Sequence, residues 1–351
     1  MGRQIYQRIN GIDNTLWTQR LEVKRPWREF SFSLGNEFTS TQRKDRHTRQ
    51  YWETAHWSME RIERQSVLFA LTEWHKQQTT LHVGLRHENL HSTIQQSGPA
   101  VSRRHHYLLP YADLSFSGGS SGVTLSYSVR SQRPSYDQLN GYTRFNQYML
   151  FISGNPDLKP SLHHHFGLNY RYKHINASLK YQHIKDYLAN TVLREEEVYR
   201  RRYDNLASAD QMMVTVTYSP QWGRCRPILS STLLAQDIDL TFKDGSHRQL
   251  NRPVCHIDLH CPWQISDKAQ IWIDWQQHTA GDVGSGHQGA AGMVNLGYSH
   301  QWNHWGLTLQ AEDLFRTGTT SLESYGPSIV YHHSTYSDTR RVSLALYYHL
   351  K

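Results

Sequence analysis

Apolar and polar residues alternate along most of this chain with a period of two. Val123, Leu125, Tyr127 and Val129 take turns with Thr124, Ser126, Ser128 and Arg130. Leu81, Val83 and Leu85 interleave with His82, Gly84 and Arg86. The same beat recurs from Ala269 to Gln276, from Leu307 to Glu312 and from Val342 to Leu350. A period of two sends successive side chains to opposite faces of a β-strand, whereas a helix repeats every 3.6 residues. Helical periodicity is hard to find. Strands are predicted at about 15–24, 29–44, 64–77, 79–95, 106–117, 121–130, 161–173, 175–188, 210–220, 226–241, 252–263, 268–278, 290–302, 305–316 and 339–350.

The connections between these strands alternate in length. Short ones fall at Arg25–Arg28, near Gln78, at Gly118–Ser120, near His174, at Gln221–Cys225, at Gln264–Asp267 and at Asn303–His304. Long ones are expected at about 45–63, 96–105, 131–160, 189–209, 242–251, 279–289 and 317–338. A barrel in the bacterial outer membrane has short periplasmic turns and long extracellular loops. A soluble sandwich or propeller has no reason to sort its loops this way. The fold class expected is therefore all-β, an antiparallel up-and-down transmembrane barrel. The last predicted strand then descends to the periplasm, and so does the first. About fifteen strands is an odd count, whereas bacterial single-chain barrels are even. At least one further strand is expected upstream.

Composition fits a wall between lipid and water. Only 37% of the 351 residues are hydrophobic, yet there are 11 Trp and 21 Tyr. The mean hydropathy is −0.71. A disordered chain would be poor in aromatics, while a barrel concentrates them in interfacial girdles. No stretch approaches the roughly 18 apolar residues of a transmembrane helix. No secretory leader is visible after Met1, so a fragment or a mature segment is expected. Three cysteines are too few for a disulfide framework. Cys255 and Cys261 fall on one predicted strand, about 20 Å apart, and cannot bridge. The formal charge of +8 is dispersed among strands and loops, so nucleic acid is not an expected partner. Outer-membrane lipid is.

Several stretches resemble the C-terminal barrel of TonB-dependent receptors, particularly the outer-membrane β-barrel group common in Bacteroidota. The most specific is Arg133-Pro134-Ser135-Tyr136 with Leu139-Asn140, followed by Gly154-Asn155-Pro156-Asp157-Leu158-Lys159-Pro160. Supporting pieces are Gly84-Leu85-Arg86-His87-Glu88, Leu109-Pro110 and Asp313-Leu314-Phe315. The chain departs from the pattern in ending on Leu350-Lys351 instead of an aromatic residue. The resemblance implies a parent barrel of about 22 strands around a plugged lumen. It implies uptake of a scarce solute of the siderophore, cobalamin or glycan class, driven by the TonB energy-coupling complex through a plug not present in this chain. Residues 1–14 would be a residual extracellular loop or tail, and 15–351 a partial barrel. Within the motif, Pro134, Pro156 and Pro160 lack N–H donors and suit strand ends. Gly154-Asn155 is turn chemistry. Arg133, Pro134, Tyr136, Asn140, Gly154, Asn155, Pro156, Leu158 and Pro160 are expected to be architectural at the barrel rim.

Among 23 histidines, His163-His164-His165 is the densest run. His163 and His165 would share one face and could ligate a metal if a third group joined, but a polar lumen lining is the expectation. His256, Asp258 and His260 share a face in the same way, with Cys255, Ile257, Leu259 and Cys261 opposite. Gly118-Gly119-Ser120-Ser121-Gly122 lacks the lysine and the following helix of a phosphate cradle, and reads as a turn. Glu195-Glu196-Glu197 and Arg200-Arg201-Arg202 are placed in a long outer loop. No catalytic pattern or cofactor fingerprint stands out. Two alternatives to a receptor barrel remain: a complete passive channel of about 14–16 strands, and an outer-membrane enzyme with a catalytic cluster at its rim.

Overall fold

The computed structural model describes residues 7–50, 54–96, 98–147, 150–195, 197–242, 245–326 and 329–348. The chain opens with β1 (Gln7–Trp27), β2 (Phe30–Gln50), β3 (Thr54–Lys76), β4 (Thr79–Gln95), β5 (Val101–Gly118) and β6 (Ser121–Gln132). A one-turn helix, α1 (Tyr136–Leu139), and two short strands, β7 (Arg144–Gln147) and β8 (Leu150–Ile152), occupy the next connection. Then come β9 (Ser161–Tyr172), β10 (Ile175–Glu195), β11 (Val198–Tyr218), β12 (Ile228–Thr241), the short β13 (His247–Leu250), β14 (Val254–Ser266) and β15 (Ala269–His278). The remainder is β16 (Gly281–Val283), β17 (Gly286–Gln288), β18 (Ala291–Trp302), β19 (Trp305–Glu312), β20 (Thr319–Gly326), β21 (Ile329–Tyr336) and β22 (Arg341–Tyr348).

The expected antiparallel up-and-down architecture is present. β1 to β6, β9 to β12, β14, β15, β18, β19 and β22 each pair antiparallel with the next in that order. Among the described residues β1 pairs only with β2, and β22 only with β19. The tight ends are mostly two residues long. Arg28, Gln77, Gly119, Lys173 and Asn303 open such turns with positive φ, which lets the hairpin follow the twist of its strands.

Register explains the alternation. One row of partners runs Trp27, Phe30, Trp74, Leu81, Leu114, Leu125, Leu168, Leu179, Val214 and Leu233, crossing ten strands on one face. Many of these side chains are exposed, Trp27 at 61% and Leu125 at 50%. An apolar face left open around a sheet is a lipid-facing surface. The opposite face carries Arg61, Glu63, Gln65 and Glu88, all buried. This is the side that faces the lumen in barrels of this kind, and the connection between β6 and β9 packs against it.

Three expectations need correction. The segments 45–63 and 189–209 are mostly strand, because β2 with β3 and β10 with β11 continue as paired hairpins. β1 begins at Gln7, so residues 7–14 are also strand. A crossing needs only about 9–11 residues, and these strands have 21 to 23. Above the membrane both faces meet water or packed loops. The ladder persists there while the apolar beat fades, as in Thr39-Ser40-Thr41-Gln42-Arg43-Lys44. Finally, Arg200, Arg201 and Arg202 lie within β11, opposite Leu193, Val192 and Thr191, and Glu196 falls outside the described residues.

The core sits at the outer mouth. Ile184, Leu206, Ile238, Leu240, Phe242, Leu250 and Tyr325 form one buried cluster. β20 and β21 join β16 and β17 in a separate four-stranded sheet, and β20 brings Tyr325 against β10, β11 and β12.

Candidate functional site: the roofed lumen mouth

The segment between β6 and β9 folds inward over the lumen. Ser135 caps α1, its hydroxyl accepting from the Gln138 N–H while the Gln138 side chain accepts from the Ser135 N–H. This reciprocal pair satisfies two otherwise orphan donors. Arg133 then reaches back to the lumen wall, donating to Gln65 Oε1 at 2.9 Å and lying 3.6 Å from Glu63 Oε2. The Arg61 guanidinium pairs with Glu63 and donates to the Pro134 carbonyl at 3.5 Å. Tyr136 is held between two cations, with Arg43 at 4.2 Å and Arg61 at 4.9 Å from its ring centre. Burial raises the Tyr136 phenol above its ordinary pKa, and the Glu63 carboxylate adds to the shift. The neutral phenol is therefore the resident form.

The second half of the motif packs onto the first. Gly154 N–H donates to the Asn140 carbonyl at 2.8 Å, and Asn155 N–H to the Gln138 carbonyl at 2.6 Å. Asn140 also turns its own loop, its side-chain oxygen accepting from Tyr142 N–H. Asn155 donates from Nδ2 to the Tyr203 carbonyl and to Asp204 Oδ1, both at 3.0 Å. Arg103 of β5 clamps the end of the segment. It donates to the carbonyls of Pro156 at 2.9 Å and Leu158 at 3.3 Å, and to Asp157 at 2.8 Å. Asn205 and Lys159 exchange two further hydrogen bonds. Leu158 is 3% exposed, and Pro134, Leu158 and Pro160 line one cleft with Arg61 and Arg103.

All nine motif residues thus converge on one roof. Its partners Arg61, Glu63, Arg103, Asp204 and Asn205 fall in segments expected to be long loops, at 45–63, 96–105 and 189–209, and carried no sequence signal of this role. Beneath the roof a cleft of about 480 Å³ is lined by Glu37, Gln65, Arg86, Glu88, Arg130 and Arg133 among others. It is a charged, lumen-facing space, suited to a polar solute.

The histidine sets are placed differently. His163 and His165 stack with ring centres 5.7 Å apart, and His163 Nε2 lies 2.9 Å from Ser161 Oγ. Among the described residues no group of three His, Cys, Asp or Glu side chains is arranged to hold a metal. His256 meets His278 across the ladder at 5.3 Å, and His260 meets Asp274. Cys255 and Cys261 share β14 as expected, but Cys225 lies 3.5 Å from Cys261, sulfur to sulfur.

Comparison with known proteins agrees with this architecture. A ferric-catecholate import receptor, Fiu, from E. coli K12 superposes with a TM-score of 0.63 at 13% identity, over 96% of this chain and 55% of that one. The copper transporter OprC gives 0.66 at 12%, over 97% and 57%. The ferric yersiniabactin uptake receptor FyuA from Yersinia pestis gives 0.64 at 11%, over 99% and 55%. Such identities establish shared fold. The chain spans little more than half the length of these structures. No curated protein sequence matches it. The model of the outer membrane protein beta-barrel family matches residues 4–348. The chain therefore belongs to the outer membrane protein beta-barrel family, and its place is the bacterial outer membrane.

Proposed function

We propose that this chain supplies the barrel wall, lumen and outer loops of a TonB-dependent receptor that takes up a scarce solute of the siderophore, cobalamin or glycan class. The observation that carries this reading is the inward-folded roof over a charged lumen cleft. A passive channel needs an open path, whereas a receptor needs a shaped mouth that engages its solute before entry. The named import receptors and copper transporter share the fold, which supports a transport role over catalysis. The energy-coupling protein TonB would act on a plug domain supplied outside residues 1–351. In this reading the motif residues Arg133, Pro134, Tyr136, Asn140, Gly154, Asn155, Pro156, Leu158 and Pro160 are architectural. They hold the roof, and the solute meets Arg86, Arg130 and the outer loops.

The test is the genomic sequence upstream of Met1, read together with solute uptake by cells carrying or lacking the gene. A plug-like domain preceded by a leader, with uptake that stops when TonB is inactivated, is the expected result. A leader directly abutting Met1, or uptake indifferent to TonB, would overturn the proposal in favour of a passive channel.

A further inference from the structure

The lipid-facing side of β3, β4 and β5 ends in a cationic row. Arg64 is the register partner of His91, and His91 is the partner of Arg104. All three lie on the face that carries Leu68, Leu85 and Leu114, the outward face. Arg64 and Arg104 are exposed and His91 is half-buried. The next row toward the membrane is Ser66, Asn89 and His106, and the one after it is Leu68, His87 and Leu108. His87 and His106 stack with ring centres 6.3 Å apart. Below these rows the face is apolar, Thr72 apart, down to Trp74, Leu81 and Leu114.

The depth of the row follows from counting. Ten residues separate Arg64 from Trp74, His91 from Leu81 and Arg104 from Leu114. At about 3.3 Å per residue and a tilt near 40°, ten residues climb about 25 Å, the height of the apolar band of such barrels. The periplasmic aromatic girdle at Trp74 and the row at Arg64 therefore bracket the hydrocarbon. The row stands at the headgroups of the outer leaflet.

Charge there is uncompensated by protein. Among the described residues neither Arg64 nor Arg104 has an ion-pair partner on this face. Glu63 and Glu88 point to the lumen and are buried. The acids higher on the outward side are taken, Glu60 by Lys44 at 3.9 Å and Asp13 by Arg46 at 2.7 Å. Two guanidinium groups two strands apart, with backbones about 10 Å from each other, would repel unless an anion sits between them. Guanidinium forks match phosphate oxygens in bidentate fashion. The Arg stems can lie along the apolar wall while their heads reach the interface.

We propose that Arg64, His91 and Arg104, backed by His106 and His87, form a binding site for the phosphate groups of an outer-leaflet phosphorylated glycolipid. Its acyl chains would lie along Leu68, Leu85 and Leu108. The site lies on the opposite face of the wall from the lumen cleft, so its fate is independent of the transport reading.

The experiment uses the detergent-extracted chain and three probes: diphosphorylated lipid A, the same lipid with its phosphates removed, and inorganic phosphate. Binding is followed by native mass spectrometry. Lipid A is expected to bind at least about tenfold more tightly than the dephosphorylated lipid. The double variant R64Q/R104Q is expected to lose that preference, and R64K/R104K to keep most of it. The single exchanges R64Q and R104Q, each expected to lose part of the preference, serve if the double variant misfolds. Equal binding of the two lipids, or an unchanged R64Q/R104Q or pair of single exchanges, would overturn the proposal. Displacement of lipid A by inorganic phosphate at equal concentration would also overturn it, by reducing the site to a general anion patch.

Discussion

A methyl group at position 154 has nowhere to go. A Cβ added to Gly154 would lie 2.4 Å from the Asn140 carbonyl oxygen and 2.6 Å from both the Asn140 nitrogen and the Gln138 oxygen, all of them backbone. Overpacking of this kind costs about 1–3 kcal/mol. Gly154→Ala is therefore expected to loosen the roof, read as faster proteolytic nicking between residues 140 and 160 with the barrel intact. Tyr325 gives a titration. Its phenol is pushed up to about 12, first by burial and then by donation to Glu323, against the opposing pull of Arg248, whose guanidinium lies 3.7 Å over the ring. Because the folded value is raised, the stabilisation from the neutral phenol is complete below the ordinary value near 10 and vanishes as pH climbs through about 12. In an alkaline absorbance titration, Tyr325→Phe is expected to remove one late-ionising tyrosine and leave the earlier ones in place. If the difference titrates near 10, the buried assignment fails. Cys225 makes a third case. Its backbone bridges Trp263, fixed by Arg226 N–H on the Pro262 carbonyl and Gln264 N–H on the Arg224 carbonyl, and it sits diagonal to Cys261. A mild thiol oxidant is expected to consume these two thiols as an intramolecular pair and spare Cys255, as peptide mapping without reductant would show. The sequence excluded a bridge within β14 by distance alone. It could not reveal the partner in the turn before β12, because that turn docks through backbone bonds that any residue can make.

The same contrast holds for whole elements. The lipid-facing stretches were legible because one face must be apolar, and the motif loop was legible because glycine, proline and asparagine are required where backbone approaches backbone. The upper halves of β2, β3, β10 and β11 were not, since their pairing is carried by main-chain hydrogen bonds and their side chains obey no single solvent. Arg103 illustrates the limit. In sequence it falls in the expected loop 96–105 and reads like any polar loop residue, yet it stands on β5 and three of its hydrogen bonds hold the segment from Pro156 to Leu158. Hydrogen bonds to a charged group contribute about 1.5–3 kcal/mol each, fewer when partly wet. Arg103→Ala is expected to release residues 153–160, with accelerated hydrogen exchange confined to that segment and to its contacts at Tyr203, Asp204 and Asn205. Arg104→Ala, one residue away but on the lipid face, is expected to leave that exchange unchanged. If both variants behave alike, the clamp is not specific to the inward face.

At the scale of the molecule, direction becomes the constraint. Among the described residues, fifteen successive long strands of the 18-stranded main sheet alternate in direction, so the first and last of them, β1 and β22, run the same way. Each has one partner and one open side among the described residues. Joining the two directly would require a parallel pair, at odds with the antiparallel pairing of every successive long strand; the one parallel pairing among the described residues of the sheet is the short contact of β8 with β11. Leaving them open in lipid strands a row of N–H and C=O groups, each costing several kcal/mol. About 9–11 of the 21 residues of β1 would lie within the membrane. An antiparallel closure needs an odd number of additional strands, which the roughly 22 strands of a plugged transporter barrel would provide. Residues 7–348 refolded alone into a planar bilayer are therefore expected to give no uniform conductance step, only irregular or absent current. Uniform steps would show that β1 and β22 can meet as a parallel pair, and would move the chain from receptor wall to self-sufficient pore. The roof over the lumen sharpens the reading of either result. Should uniform steps appear, Gly154→Ala or Arg103→Ala would enlarge them if the roof narrows the path, and would leave them unchanged if current flows elsewhere.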